Sequence, residues 1–369
     1  MPKILYVATV VKTHILEFHV PYLKMLKEMG WETAVAARND FEDPSDCVIP
    51  YCDSFYDIPF ERNPVNQRNN IAYKELKKVI DDGGYDIIHC HTPVGAMLTR
   101  IAAKDARKKG CKVIYTAHGF HFYKGAPLVN WLLYYPVEKL LAKKTDVLVT
   151  INTEDYQRAQ KFKAGKTVYV PGVGIDIGKF SRTEGIREKK RSELGIPLDA
   201  KVLLSVGELN VNKNHKVVIN ALPDMKNCWY VVCGRGPLMD NYKKLASDLG
   251  VSDRVLLAGY RTDVSEFYQM ADVFVFPSFR EGLPVALMEA MASGLPCVAA
   301  RNRGTDDLLN GSEMLFDATN LEELKHDLKV ALSSEGKKEV LRNKEHLLQF
   351  DINNTTEKIK DIYLSVLGK

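Results

Sequence analysis

The sequence predicts an α/β protein built from two domains, each a parallel sheet covered by helices. The 369 residues are too many for one ordinary hydrophobic core. Short apolar runs alternate with amphipathic stretches, and this alternation starts afresh after a glycine-rich segment at 171–181. We therefore place the first domain at 1–175 and the second at 176–352. A last helix at 353–369 could belong to either domain, including by packing back on the first.

The strands of the first domain are predicted from short runs rich in β-branched and apolar residues, at 3–9, 32–37, 86–91, 112–118, 146–151 and 167–170. After the first of these runs, apolar residues recur on one face of a helix, at Leu16, Val20, Leu23 and Leu26. Gly30 follows and is expected to end this helix. Strands that alternate with helices in this way form a parallel sheet.

The second domain repeats the pattern, with predicted strands at 202–207, 229–234, 255–259, 273–278 and 297–300. A highly charged segment, 187–197, precedes them and is predicted to be a helix and loop on the surface. Two α/β units joined by a glycine-rich hinge predict a cleft between the domains. Because ligands of parallel α/β sheets bind at the carboxyl ends of the strands, we expect the functional site there.

The composition is that of a soluble globular protein, with 46% hydrophobic and 27% charged residues. No apolar run reaches the roughly 20 residues that span a bilayer, and the first residues are typical of a strand rather than a signal peptide. Seven cysteines without regular spacing indicate free thiols in a reducing compartment. Residues 1–170 carry 24 Lys and Arg against 19 Asp and Glu, a net charge of +5. This excess suggests an anionic partner, whether phosphate, membrane or nucleic acid, although the bias is small.

The segment 278–299 contains the most informative motif. A strand is followed by a loop and then by a helix, with Pro284 predicted in the first turn of that helix. Backbone N–H groups of Gly282 and Leu283 would point out of the helix start and form a diphosphate site with the helix dipole. Glu289 is the one charge in the apolar run that follows, and ribose hydroxyls would satisfy it. The alternative is a Glu289 exposed on an amphipathic helix.

Glu281 and Glu289, seven residues apart in this setting, resemble the Glu-x7-Glu motif of retaining glycosyltransferases of family 4, which have the GT-B fold. Further segments carry the same resemblance, at 205–215, 233–237, 259–264 and 271–284. The segment 115–146 points to the bacterial subgroup that builds capsular and extracellular polysaccharides. The resemblance implies a GT-B enzyme with two Rossmann-like domains whose parallel sheets face the interdomain cleft.

The resemblance also implies roles for single residues. Glu289 would hold the ribose, Glu281 would contact the donor sugar, and the backbone at 282–284 (Gly282, Leu283 and Pro284) would bind the diphosphate. Lys213 matches the lysine that binds the diphosphate, where a cation stabilises the charge of the leaving nucleotide. His118 matches the histidine that faces the donor sugar. The alternatives are an ordinary surface lysine and a structural histidine.

Two features depart from the family pattern. Many relatives have an arginine soon after the glycine that corresponds to donor-site Gly207, but Glu208 stands here, so Arg235 or Arg261 is expected to supply the second cation. Many relatives also have a glycine pair in the first loop, which is replaced here by the residues at 10–13.

Thr13, His14 and His91 are expected to line the acceptor side of the cleft. His89 and His91 lie on one face of a strand and could suggest a metal site. No zinc-type spacing of Cys or His accompanies them, and Asp-x-Asp is absent. We therefore predict no metal and no other cofactor.

The resulting hypothesis is a retaining enzyme that moves a hexose or N-acetylhexosamine from a UDP-sugar to a sugar acceptor linked to polyprenyl diphosphate. Alternatives are a nucleotide-sugar epimerase of the same fold and a non-catalytic UDP-sugar-binding partner. We expect no nucleic-acid partner. The segment 128–144 places Trp131, Tyr134 and Tyr135 among leucines and before lysines, which suits peripheral contact with the inner face of the plasma membrane. The alternative is that this helix packs under the first sheet.

Overall fold

A computed structural model describes residues 1–368 of the chain. It divides into two compact units. The N-terminal unit comprises Met1–Gly174 together with the chain from Ile352 onwards, and the C-terminal unit comprises Ile175–Asp351. The last helix therefore packs on the N-terminal unit, one of the two arrangements that the sequence left open.

The N-terminal unit contains a seven-stranded parallel sheet in the order β3-β2-β1-β4-β5-β6-β7. Its strands are β1 Lys3–Val10, β2 Glu32–Arg38, β3 Ser54–Asp57, β4 Ile87–Cys90, β5 Lys112–Ala117, β6 Val147–Thr150 and β7 Lys166–Tyr169. Its helices are α1 Leu16–Phe18, α2 Val20–Glu28, α3 Arg68–Gly83, α4 Pro93–Ala102, α5 Lys104–Lys108, α6 Leu128–Ala142 and α7 Thr153–Ala159, with α16 Ile352–Val366 from the chain end.

Helices cover both faces of this sheet, which is why its central strands are continuous apolar runs. On one face, Leu5 and Val7 of β1 belong to the core that includes side chains of α3 and α4. On the other face, Ile4 and Tyr6 belong to the core that includes side chains of α2 and α16. Tyr363 of α16 is fully buried there, so the C-terminal helix is part of the folded N-terminal unit.

The C-terminal unit contains a six-stranded parallel sheet in the order β10-β9-β8-β11-β12-β13. Its strands are β8 Lys201–Val206, β9 Cys228–Cys233, β10 Val255–Gly259, β11 Val273–Phe276, β12 Cys297–Ala300 and β13 Leu315–Phe316. Its helices are α8 Ile186–Glu193, α9 His215–Ala221, α10 Met239–Asp248, α11 Val264–Met270, α12 Val285–Ala292, α13 Arg303–Leu309, α14 Leu321–Ala331 and α15 Ser334–Leu347. All eleven strands predicted from the sequence are present.

Two strands, β3 and β13, were not predicted from the sequence. The edge strand β3 is only half-buried and carries Ser54 and Asp57 at its ends, so it has no apolar run. The edge strand β13 has two residues. An edge strand with one paired side needs little apolar sequence, and a short one leaves no periodicity to detect.

The charged segment 187–197 is not simply a surface helix and loop, which corrects the prediction. Arg191 of α8 is fully buried, and its guanidinium donates to the backbone O of Met270 and to Oδ2 of Asp272, at 2.8 and 2.7 Å. Lys190 is also buried. The helix directs these two charged side chains into the C-terminal unit to which it belongs, where Asp263 and Asp272 compensate their charge.

The segment after β1 also differs from the single helix expected there. A π-helical turn at Val11–Ile15 follows the strand directly, and α1 and α2 are separated at His19. Gly30 adopts a left-handed conformation (φ +76°) after α2, as predicted for a helix stop. The π-helical turn is wider than an α-helical one and directs the His14 side chain into the protein, where it is buried.

Candidate functional site

The strand order of each sheet reverses beside its first strand, and the predicted site residues follow strands near these points. β1 lies between β2 and β4, and β8 lies between β9 and β11. Such a switch point opens a crevice outside the carboxyl ends of the strands. Loops of the C-terminal sheet carry Gly207, Lys213, Arg235, Arg261, Glu281, Gly282, Leu283 and Pro284. Segments that follow strands of the N-terminal sheet carry Thr13, His14, His91 and His118.

Lys213 and Glu281 form an ion pair, with Nζ 2.8 Å from Oε1. Both side chains are largely buried, with 21% and 16% of their surface exposed. The ammonium also lies 4.8 Å from the centroid of the Phe276 ring. Because an ammonium has three donors, Lys213 retains capacity for a phosphate oxygen while it is bonded to Glu281. The structure thus joins the loop after β8 to the loop after β11 through two of the predicted residues.

Glycines allow the loops after β8 and β9 to pack closely. A Cβ at Gly234 would lie 1.8 Å from the backbone O of Gly207, and one at Gly236 would lie 2.5 Å from the backbone O of Leu209. Larger residues at these positions would force the loops apart. The glycines of the 233–237 segment therefore shape the loop that carries Arg235.

Asn214 also positions Lys213, and the sequence analysis did not identify it. Its backbone has a left-handed conformation (φ +52°), which is uncommon for a residue other than glycine. Its side-chain Nδ2 donates to the backbone O of Pro277 and of Ala318, at 3.3 and 2.9 Å. Asn214 thereby ties the loop of Lys213 to the chain just after β11. Strained backbone of this kind clusters at functional sites.

The start of α12 offers backbone donors for an anion. The helix begins at Val285, so Pro284 precedes it at the capping position instead of lying in its first turn. Within residues 1–368, the N–H groups of Gly282 and Leu283 donate to no partner. Gly304 packs against this loop, since a Cβ there would lie 2.8 Å from the backbone O of Gly282. Free N–H groups at a helix N-terminus favour a phosphate group.

Glu289 lies half-buried on α12 and accepts a hydrogen bond from the Tyr268 hydroxyl, 2.8 Å from Oε2. Burial and the nearby carboxylate raise the pKa of Tyr268 well above its usual value, so the hydroxyl stays protonated and can donate. Tyr268 was missed by the sequence analysis, because it lies on a different helix, α11. It orients the carboxylate that we expected to hold a ribose.

The two candidates for the second cation differ in their surroundings. Arg261 forms a bidentate pair with Asp263, at 2.7 Å from each carboxylate oxygen. Hydrogen bonds from the Arg261 guanidinium and the Lys190 ammonium lower the pKa of Asp263 well below its usual value. Arg235 is exposed, and its guanidinium makes no ion pair with any residue of the described chain. The charge of Arg235 is therefore the more available of the two.

In the N-terminal unit, His14, His91 and His118 come together with a fourth histidine, His19, that the sequence analysis did not single out. One ring nitrogen from each lies within 4.8 Å of those of the others. Burial lowers the pKa of His118 to about 4, so its imidazole is neutral near pH 7. Thr13 is exposed beside this cluster, with Oγ1 3.4 Å from Arg62 Nη2.

Family models match both halves of the chain. The model described as glycosyl transferases group 1 matches residues 186–346, and the one described as glycosyl transferase 4-like matches residues 3–152. The chain is 42% identical to the "Putative glycosyltransferase EpsD" of Bacillus subtilis (strain 168), over 98% of this chain and 96% of that protein. The chain belongs to the group 1 glycosyltransferases. It is therefore an enzyme of the transferase class, as predicted.

Further relatives agree with this assignment. The glycosyltransferase is 30% identical to the UDP-Gal:alpha-D-GlcNAc-diphosphoundecaprenol alpha-1,3-galactosyltransferase of Escherichia coli, over 82% of this chain and 83% of that one. HepE of Anabaena, in complex with UDP and glucose, matches with a TM-score of 0.82 and 18% identity over 99% and 100% of the two chains. Sucrose-phosphate synthase of Thermosynechococcus elongatus matches with the same score and identity over 100% of both chains. The fold is GT-B, as predicted.

The N-terminal unit of the glycosyltransferase contains a pocket of about 480 Å³ lined mainly by apolar side chains. Thr13 and His14 line it, as do Leu133 and Tyr134 of α6. His91 and His118 line a smaller, separate cavity beneath. Of the three residues expected to contact an acceptor, two therefore share a pocket with α6.

Helix α6 presents two different faces. Its aromatic residues Trp131, Tyr134 and Tyr135 are half-buried and pack against the N-terminal core. Apart from the buried Leu141, its large aliphatic side chains are instead exposed: Leu128, Val129, Leu132, Leu133, Val137 and Leu140. Leu128 and Leu132 expose 80% and 75% of their surface. Within residues 1–368, no helix is both long and apolar enough to cross a membrane.

Proposed function

We propose that this glycosyltransferase moves a hexose or N-acetylhexosamine from a UDP-sugar, with retention of configuration, to a sugar on a polyprenyl diphosphate during surface polysaccharide synthesis. The observation that carries the proposal is the Lys213–Glu281 pair in the loops beside the free N–H groups that precede α12. The Escherichia coli relative named for UDP-Gal and a diphosphoundecaprenol acceptor supports the donor and acceptor classes. The neighbour in complex with UDP and glucose supports the choice of UDP.

The donor diphosphate would be held by groups of the C-terminal unit. The N–H groups of Gly282 and Leu283 offer hydrogen bonds, and the helix dipole of α12 adds positive potential. Lys213 supplies a cation, and Arg235 is the available guanidinium for a second contact. Glu289, oriented by Tyr268, would accept the ribose hydroxyls. These donors carry the charge compensation that a diphosphate requires, so we propose that transfer needs no metal ion.

The chemistry implied by the family proceeds on one face of the sugar without a protein nucleophile. The bond between the anomeric carbon and the β-phosphate oxygen breaks, and UDP departs with the electron pair. The acceptor oxygen bonds to the anomeric carbon, and its proton passes to the departing phosphate. Lys213 stabilises the charge that develops on that phosphate. We propose that the neutral His118 imidazole contacts the donor sugar and that Glu281 orients this sugar.

The exposed aliphatic face of α6 supports contact with a membrane. Leu128, Leu132 and Leu140 would enter the headgroup region, and Lys143 and Lys144 at the helix end would meet anionic lipids. The pocket beside α6 is mainly apolar and could receive part of a lipid-linked acceptor. We propose peripheral binding at the cytoplasmic face of the plasma membrane.

The proposal is tested by incubating the enzyme with a panel of nucleotide sugars and polyprenyl-diphosphate sugars, with products identified by mass and anomeric configuration by NMR. We expect one UDP-sugar to give an α-linked product on a lipid-linked acceptor. A changed donor sugar without any acceptor would identify an epimerase. UDP binding without transfer to any acceptor would identify a non-catalytic partner. A GDP-sugar as the better donor would contradict the nucleotide assignment.

A further inference from the structure

Four buried or half-buried imidazoles from four separate segments meet in the N-terminal unit. His14 lies in the π-helical turn after β1, and His19 lies between α1 and α2. His91 directly follows β4, which pairs with β1, and His118 directly follows β5, which pairs with β4. One nitrogen from each ring lies within 4.8 Å of those of the other three.

Four of the eight ring nitrogens in this histidine cluster are buried without a hydrogen-bond partner in the part of the chain that the structure describes. Within residues 1–368, Nε2 of His14, Nε2 of His91 and both ring nitrogens of His19 are buried without one. Buried polar atoms without partners are rare in folded proteins, because burial removes their hydrogen bonds to water. Four such atoms in one cluster indicate that a ligand completes it.

His89, which lies in β4, provides a comparison with the residues of the histidine cluster. Its Nδ1 lies 2.7 Å from the Tyr363 hydroxyl and its Nε2 lies 2.8 Å from Oγ1 of Thr116. Both nitrogens of this neighbouring histidine are therefore used by the fold itself. Among the described residues, His14, His19 and His91 differ from His89 because each keeps at least one buried nitrogen without a hydrogen-bond partner.

The spacing suits a tetrahedral metal ion. Zinc bonds imidazole nitrogen at about 2.0–2.1 Å, which puts two such ligand atoms roughly 3.4 Å apart in a tetrahedron. Nδ1 of His91 lies 3.2 Å from Nε2 of His118. The four ligand atoms all lie within 4.8 Å of one another, so other pairs would contract by up to about 1.4 Å when a metal ion binds. Imidazole ligands select zinc, nickel or copper over magnesium and calcium, which prefer oxygen.

We propose that His14, His19, His91 and His118 bind one divalent transition-metal ion of the zinc type. Because His118 is also the residue proposed to contact the donor sugar, a bound ion would occupy it and inhibit transfer. The inhibition rests on the proposed function, whereas metal binding does not. The metal is thus an inhibitor of the reaction and not a cofactor for it.

The test uses the full chain stripped of metal with EDTA and then dialysed. Zn²⁺ binding is measured by calorimetry, stoichiometry by elemental analysis, and coordination by the visible absorption of the Co²⁺ form, all without any sugar. We expect one ion per chain and the intense absorption of a four-coordinate Co²⁺ site. His19→Gln and His14→Gln should each weaken Zn²⁺ binding by more than about 100-fold, because the loss of an outer-shell partner alone costs about 10–100-fold. The exposed His326→Gln variant should bind like the wild type.

Circular dichroism and thermal unfolding establish that each variant is folded. If either His19→Gln or His14→Gln does not fold, the other variant alone provides the test. Zinc affinity equal in wild type, His19→Gln and His14→Gln would overturn the proposal, as would no binding by the wild type. Because these measurements need neither donor nor acceptor, they stand apart from the test of the transfer reaction. Zinc added to an active preparation should lower the transfer rate, and EDTA should restore it. Transfer that saturating zinc leaves unchanged would overturn the inhibitory role.

Discussion

At the scale of single residues, the proposed donor site depends on charges held in place by neighbouring side chains. Lys213 is fixed by Glu281 on one side and by the loop that Asn214 anchors on the other. Glu289 is oriented by Tyr268. Preorganised groups of this kind need no rearrangement when charge develops, which is why each substitution has a specific expected effect.

Lys213→Ala should lower the transfer rate at saturating donor on the order of 100-fold, because it removes positive charge from the departing diphosphate. The matched control is Lys216→Ala, an exposed lysine three residues further along the chain. Initial rates at saturating UDP-sugar measure the effect. A Lys213→Ala rate within a few-fold of the control would show that another cation has this role.

Glu289→Gln should weaken UDP binding by about 1.5–3 kcal/mol, because hydrogen bonds to a charged acceptor are replaced by bonds to a neutral amide. Calorimetric titration with UDP measures the change, and Glu345→Gln on the exposed surface of α15 is the control. Unchanged affinity in a folded Glu289→Gln variant would rule out the ribose contact.

Arg235→Ala should weaken UDP binding more than Arg261→Ala, by about ten-fold, because the Arg261 charge is already compensated by Asp263. The two variants serve as controls for each other in the same calorimetric assay. If Arg261→Ala binds UDP more weakly than Arg235→Ala does, Arg261 leaves Asp263 to bind the donor and our assignment of the second cation is wrong.

At the scale of elements, α6 combines an aromatic face packed on the N-terminal core with an aliphatic face exposed to solvent. Exposed apolar side chains are common singly, but a row of them along one helix indicates an interaction surface. The same helix contributes Leu133 and Tyr134 to the pocket that contains Thr13 and His14. A membrane contact through α6 would therefore bring this pocket close to the lipid.

Leu132→Ser combined with Leu140→Ser should abolish binding to acidic liposomes, because it removes apolar surface that would enter the headgroup region. Flotation with neutral and acidic lipids at low and high salt measures this, and wild-type binding should need acidic lipid and weaken with salt. Leu341→Ser, on the exposed surface of α15, is the control. A wild-type protein that stays at the bottom with acidic liposomes at low salt would contradict the membrane proposal.

At the scale of the whole molecule, two α/β units each place their predicted site residues at the carboxyl ends of central strands. In the C-terminal unit these residues are donors and cations suited to a diphosphate, whereas in the N-terminal unit they are neutral imidazoles. The charge compensation proposed for the donor thus comes from side chains and backbone of one unit.

EDTA should leave the transfer rate of the zinc-free enzyme unchanged, because Lys213 and the N–H groups before α12 take the role that a divalent ion has in other transferases. Rates with EDTA, with Mg²⁺ and with Mn²⁺ at saturating donor measure this. An enzyme active only with Mg²⁺ or Mn²⁺ would contradict the metal-independent mechanism without bearing on zinc binding by the histidine cluster.

The sequence by itself determined the two-unit α/β architecture and all but two short edge strands, and it singled out the residues that we propose for the donor site. It did so because apolar periodicity is local and because Glu281, Gly282, Leu283 and Glu289 lie within one short segment. A motif of this kind can be recognised from the sequence alone. The buried charge of α8 was misread for the same reason, since Asp272, the partner of Arg191, lies 81 residues away.

Only the tertiary structure decided which distant side chains meet. Tyr268 reaches Glu289 from another helix, and Asn214 reaches the chain after β11 across the sheet. His14 and His118 are more than a hundred residues apart in the chain, yet they meet because β1, β4 and β5 are neighbours in the sheet. Strand order depends on how helices pack on both faces, and no local pattern records it. The histidine cluster is therefore a property of the fold and not of any motif.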